Sequence, residues 1–303
     1  MADLRVALGP LNLKNPVMPA SGTFGYGEEY SALFDLNRLG AVVTKGISLQ
    51  PREGNPPPRL WETRGGMLNS IGLQNVGVEV FASEKLPFLR RFDVPIIVNC
   101  FGFTVAEYIA VAQQIDSLEG IAALEVNLSC PNITQGGIHF GCDTSMDTGL
   151  TETIKKKVQL PLIVKLSALV SDIKGVAKAA EQGGADAITL INSVPGMAID
   201  IESRRPRLGA TTGGLSGPAI KPIALKAVWE AASAVKIPII GVGGIMNHTD
   251  ALEFLVAGAT AVQVGTATFI HPMSMIEVID GIQHFMRERQ IAALPALIGS
   301  IAR

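Results

Sequence analysis

At 303 residues, with 48% hydrophobic and 17% charged residues and 32 glycines, the chain has the make-up of a large folded core threaded by tight turns, which argues against disorder. Its formal charge of −2, with no basic run longer than Lys155-Lys-Lys157, lacks the electrostatic footprint that nucleic-acid binding needs. No window approaches the ~18 apolar residues of a membrane span, and no basic segment leads into an apolar one at the N-terminus, so neither a membrane nor an export route is expected and the cytoplasm is.

Taken in chain order, short β-branched runs recur at residues 16–22, 41–45, 95–100, 124–128, 161–166, 187–192, 238–244 and 261–265, most of them ending in Gly, Asn or Lys. Continuous apolar runs of this kind predict strands buried on both faces of a parallel sheet. Helical patterns at 105–115, 174–182 and 249–257 lie between them. Eight strands alternating with helices predict an α/β fold, a (β/α)8 TIM barrel, as one domain over residues 1–303. An open doubly wound sheet fits less well, because Gly241-Val-Gly-Gly244 lacks the third spacing of G-x-G-x-x-G and comes late in the chain. The connections 53–73 and 131–147 are too long for plain turns and begin at strand exits, so both are expected as active-site insertions at the C-terminal face, the second as a lid.

Chemistry is expected at the strand exits. Gly243-Gly244 after strand seven and Gly265-Thr266 after strand eight sit where this fold binds phosphate. Lys45 and Lys165 end strands and would face an anion, an electron-rich ring or, as a Schiff base, a carbonyl carbon. Asn69, Asn127, Asn132 and Asn192 form a set of amides that suits a planar ring with alternating N–H and C=O groups, while Asn99 suits a cofactor contact. Cys130 follows the apolar run 124–128 directly and can act as nucleophile or as proton abstractor. Cys100 and Cys142 lack that setting. Three cysteines without metal-ligand spacing and four scattered histidines give no expectation of a metal or a disulfide framework. A mean hydropathy of +0.33 leaves surplus apolar surface for an oligomer interface.

At these residues the chain resembles the class 1 dihydroorotate dehydrogenases over nearly its whole length. The resemblance rests on Arg52-Glu-Gly-Asn-Pro56, Asn69-Ser-Ile-Gly-Leu-Gln-Asn75, Asn127-Leu-Ser-Cys-Pro-Asn132, Gly213-Gly-Leu-Ser-Gly217 and Gly241-Val-Gly-Gly-Ile245. Thr44-Lys-Gly46 and residues 66–75 are most similar to the NAD-linked 1B catalytic subunit. The resemblance implies FMN in the barrel mouth, contacted by Ser21, Lys45, Gly46, Asn99, Asn127, Lys165, Ile191, Gly217, Gly243, Gly244, Gly265 and Thr266. It implies dihydroorotate held by Lys45, Asn69, Ser70, Ile71, Gly72, Leu73, Asn127, Asn132, Asn192 and Ser193, the last standing where the family has threonine. Cys130 becomes the general base for C5 and Lys165 the stabiliser of charge on reduced flavin. Because this chain has neither a cysteine cluster nor a complete dinucleotide fingerprint, the resemblance also implies a partner with FAD and [2Fe–2S], in a heterotetramer of two catalytic and two electron-transfer chains. The competing expectations are a flavin barrel like dihydropyrimidine dehydrogenase and a Schiff-base aldolase using Lys165.

Overall fold

The eight apolar runs come together as one parallel sheet in the computed structural model, which describes residues 2–128, 134–135, 138–139, 144–167 and 170–302. The strands are β1 (Val17–Pro19), β2 (Val42–Val43), β3 (Ile96–Cys100), β4 (Ala123–Asn127), β5 (Leu162–Leu166), β6 (Ala187–Leu190), β7 (Ile239–Val242) and β8 (Ala261–Val264). Every residue in them is buried, as expected for strands covered on one face by helices and on the other by the barrel interior. Each pairs in parallel with its neighbours in the order β1-β8-β7-β6-β5-β4-β3-β2. The ring closes between its ends, where the Gly40 N–H donates to the Val17 carbonyl at 2.9 Å. This is the (β/α)8 barrel expected from the sequence.

Among the described residues, six helices have ten residues or more: α1 (Val105–Asp116), α2 (Thr144–Lys155), α3 (Ile173–Gln182), α4 (Lys221–Ala232), α5 (His248–Ala257) and α6 (Ser274–Glu288). The first shows why they form and where they face. The Thr104 side chain accepts from the Glu107 N–H, and Glu107 accepts in turn from the Phe103 N–H at 2.7 Å, so two donors at the helix start are satisfied. Tyr108, Val111, Ala112 and Ile115 then recur at helical spacing and are buried against the barrel, each contributing about 1.5–3 kcal/mol for the large side chains. The Tyr108 hydroxyl donates to the Asn127 carbonyl at 2.8 Å, tying this helix to the end of β4.

The connection at 53–73, expected as an active-site insertion, contains two strands. Leu60–Thr63 and Gly66–Asn69 form an antiparallel pair, which joins Gly213–Ser216 and Val194–Gly196 in a four-stranded sheet. Local sequence conceals it, because Pro56, Pro57 and Pro58 precede the first strand and Gly65-Gly66 opens the second, and the outer pairing partner lies far along the chain. Within 131–147, Thr134–Gln135 pairs antiparallel with Ile138–His139 and the chain then enters α2. Among the described residues no helix is long and apolar enough to cross a membrane.

Candidate active site

A cavity of ≈ 710 Å³ opens among the strand exits, within the range of pre-formed cofactor sites. Parallel register decides which side chains meet there. Lys165 stands opposite Asn127 on one side and Thr189 on the other, and Asn99 stands opposite Glu125. Side chains alternate along a strand, so Glu125 and Asn127 share a face of β4, with Asn127 nearer the mouth.

Lys165 is 4% exposed and donates to the Ser21 hydroxyl at 3.1 Å. Burial pushes its pKa down and the charge of Glu125 opposes that shift. Lys45, also on the cavity, is pushed down by burial and by Arg59, with Glu29 pulling the other way. Both ammonium groups therefore face a poorly solvated space, which an anion or an electron-rich ring would stabilise.

The opposite wall is backbone. Gly243 and Gly244 have φ of 130° and 75°, in the region that favours glycine. A Cβ on Gly244 would come within 2.8 Å of the Lys221 nitrogen, so this turn lies directly against the start of α4. None of the hydrogen bonds among the described residues uses the N–H of Gly243, Gly244, Gly265 or Thr266, all of which line the cavity. Backbone amides without a protein acceptor, beside a helix N-terminus, suit an anion such as a phosphate. The Thr266 hydroxyl donates to the Ser216 hydroxyl at 2.8 Å, which ties the exit of β8 to the four-stranded sheet.

That sheet carries the amide wall. Asn69 ends the strand Gly66–Asn69 and donates to the Gly214 carbonyl at 3.2 Å. The Asn55 amide donates to the Ser70 carbonyl at 3.1 Å, and Arg59 clamps the segment by donating to the carbonyls of Asn55 and Glu53 and to Gln74 Oε1. Leu73 has φ of 60°, uncommon for a branched apolar residue, and its carbonyl accepts from the Asn75 side-chain amide at 2.9 Å. The Ser70 hydroxyl is buried without a partner among the described residues, although Ser70 lines the cavity. Such a group suits a ligand polar atom. Beside Gly214, the Ser193 N–H donates to Asn192 Oδ1 at 2.7 Å.

The structure thus brings the expected residues together. Ser21, Lys45, Gly46, Asn99, Asn127, Lys165 and Ile191 line this one cavity with Gly217, Gly243, Gly244, Gly265 and Thr266. So do Asn69, Ser70, Ile71, Gly72, Leu73, Asn192 and Ser193. Cys130 and Asn132 lie outside the described residues. Sequence reasoning assigned no role to Arg52, Asn55 or Ser216, which also line it; Arg52 sits over the Phe103 ring at 4.4 Å. Their signal lay in the motifs 52–56 and 213–217, whose individual side chains have no distinctive chemistry until placed. Among the described residues no group of three His, Cys, Asp or Glu could hold a metal ion.

Fold and site together define a (β/α)8-barrel enzyme whose mouth combines glycine backbone, buried lysines and amide side chains. Residues 3–286 match the family model for dihydroorotate dehydrogenase. The chain is 56% identical over 98% of its length, and 98% of the relative's, to "Dihydroorotate dehydrogenase B (NAD(+)), catalytic subunit" of Trichlorobacter lovleyi. Proteins of the same name from Thermodesulfovibrio yellowstonii and Desulforamulus reducens are 54% and 53% identical, over 99% and 98% of this chain and of the relatives themselves. The chain belongs to the dihydroorotate dehydrogenase family.

Proposed function

We propose that residues 1–303 form one FMN-carrying unit, the catalytic subunit of an NAD+-linked dihydroorotate dehydrogenase that oxidises (S)-dihydroorotate to orotate in pyrimidine biosynthesis. One observation carries the reading: the glycine turn at Gly243–Gly244, the buried Lys165 and the amides of Asn69, Asn127 and Asn192 meet in one cavity. The full-length similarity to catalytic subunits of that name supports it.

FMN, when bound, supplies the acceptor for the hydride leaving C6 of the substrate. The backbone at Gly243, Gly244, Gly265 and Thr266 would hold its phosphate, and Ser21, Gly46, Asn99, Asn127, Ile191 and Gly217 would complete its contacts. Lys165 provides positive charge where negative charge accumulates on reduction. Lys45 bridges cofactor and substrate. Asn69, Asn127, Asn132 and Asn192 orient the pyrimidine ring with Ser193, while Ser70 to Leu73 close over it. Cys130 takes the C5 proton. An ordinary thiol, with a pKa of about 8.5, is a few per cent ionised at neutral pH, so turnover rises with pH. Electrons leave through a partner subunit carrying FAD and [2Fe–2S], in a cytoplasmic heterotetramer of two catalytic and two electron-transfer chains.

The test is to mix the purified yellow protein with dihydroorotate under anaerobic conditions. Loss of flavin absorbance with formation of orotate is expected, with NAD+ reduced after the partner subunit is added and a dye reduced without it. A colourless protein that forms a borohydride-trapped Schiff base at Lys165, or a yellow one bleached by dihydrouracil and not by dihydroorotate, overturns the reading.

A further inference from the structure

Beneath the cavity lies a polar layer that this chemistry leaves unused. Glu125 carries a carboxylate and has no exposed surface. On β4 it stands two residues before Asn127, hence on the same face and one layer deeper, and Ile163 stands opposite it as Lys165 stands opposite Asn127. Oε1 accepts from Asn99 Nδ2 at 2.7 Å, and Oε2 accepts from Thr189 Oγ1 at 2.8 Å and Gln263 Nε2 at 2.6 Å. These donors come from β3, β6 and β8, whose side chains meet inside the barrel. Three side-chain donors from three different strands converge on this one carboxylate.

Its charge needs a partner, and so does that of Lys165. The hydrogen bond from Lys165 goes to Ser21, a neutral hydroxyl that satisfies one donor and offsets no charge. A buried ammonium without a counter-charge gives up its proton, and a buried carboxylate without one is equally costly. Glu125 and Lys165 are diagonal neighbours across β4 and β5, and the charge of Glu125 opposes the downward push that burial exerts on Lys165. Cys100, at the end of β3, also feels Glu125; burial first, then that carboxylate, push its thiol up to about 12, so it stays neutral. Lys45 responds to Arg59 and Glu29 instead.

We propose that Glu125 is a positioning residue for the redox site: it is the counter-ion that holds Lys165 as an ammonium under the cavity and, through Asn99, fixes the donor direction of a cavity amide. The proposal rests on the reading that Lys165 faces the flavin. Gly46 bears out the tight placement of that amide, since a Cβ there would come within 2.8 Å of Asn99 Oδ1.

The test follows Lys165 directly, in FMN-loaded protein with ¹³Cε-labelled lysine, its resonance assigned by loss in Lys165→Met. Glu125→Gln keeps the shape and removes the charge; it is expected to lower the Lys165 midpoint by about one pH unit or more, tenfold in protonation equilibrium. Glu125→Asp retains the charge and is expected to restore most of the shift. Above the lowered midpoint, the flavin two-electron potential of Glu125→Gln should fall below wild type. An unmoved Lys165 midpoint in Glu125→Gln overturns the proposal, because a structural carboxylate would alter stability and leave that titration alone. If Glu125→Gln does not fold, Glu125→Gln/Lys165→Met removes both charges together; recovered folding supports the pairing and continued failure overturns it. The underlying reading fails separately, if removing FMN leaves the Lys165 resonance of wild type in place.

Discussion

Asn99 Nδ2 donates to Glu125 Oε1 across 2.7 Å, joining an amide on the cavity to a carboxylate sealed inside the barrel. Asn99→Ala removes the donor and leaves the oxygen buried and short of a partner, which costs about 1–3 kcal/mol. Denaturant unfolding is expected to show that loss with or without FMN. FMN affinity, followed by fluorescence of released flavin, should fall about tenfold or more as the cavity amide disappears.

Gly244→Ala separates the glycine turn from the scaffold. The new Cβ would lie 2.7 Å from Lys221 Cβ and 2.9 Å from the Gly217 carbonyl, at φ of 75°, so the turn must move. The strain is about 1–3 kcal/mol, and flavin content after purification is expected to drop to a small fraction of wild type. Gly149→Ala is the contrast. Within α2 it has open space around it and no left-handed φ, so a gain of about 0.5–1 kcal/mol is expected in thermal unfolding, with flavin content unchanged.

With Lys45 holding the substrate as proposed, its ionisation sets a pH limit on substrate binding. Burial pushes its pKa down, Arg59 adds to that shift and Glu29 opposes it. The ammonium is present below the lowered pKa and lost as pH rises through it, so KM for dihydroorotate should climb on the alkaline side. Glu29→Gln removes the opposing charge and moves the climb to lower pH. Because Glu29 is exposed, the displacement should be small and should shrink further with added salt. KM against pH at two ionic strengths checks both.

Cys130→Ala should retain FMN and bind orotate while slowing anaerobic flavin reduction by about 10²–10⁴-fold, the usual worth of a positioned base. Wild-type reduction rates should rise with pH through the thiol ionisation, and the variant should lose that rise. A variant reduced as fast as wild type removes Cys130 from the mechanism.

The barrel was legible because its strands are buried on both faces and so read as unbroken apolar runs. Residues 161–166 and 187–192 announce β5 and β6 without help from the rest of the chain. Strand ends in a barrel point to one mouth, so Lys165, Asn127 and Gly243 could be placed together from their positions alone. The hairpin Leu60–Asn69 was not legible, since its order depends on pairing with Gly213–Ser216, and nothing local distinguishes it from an irregular loop.

Sequence by itself determined the barrel, the family and the residues at its mouth, because periodicity and motif are local properties. Tertiary structure decided Glu125. In sequence it is one acid in an apolar run; its role arises from donors 26, 64 and 138 residues away, brought to it by the closing of the barrel. Burial turns that meeting into chemistry, since a charge removed from water has to find its partner among the side chains the fold provides.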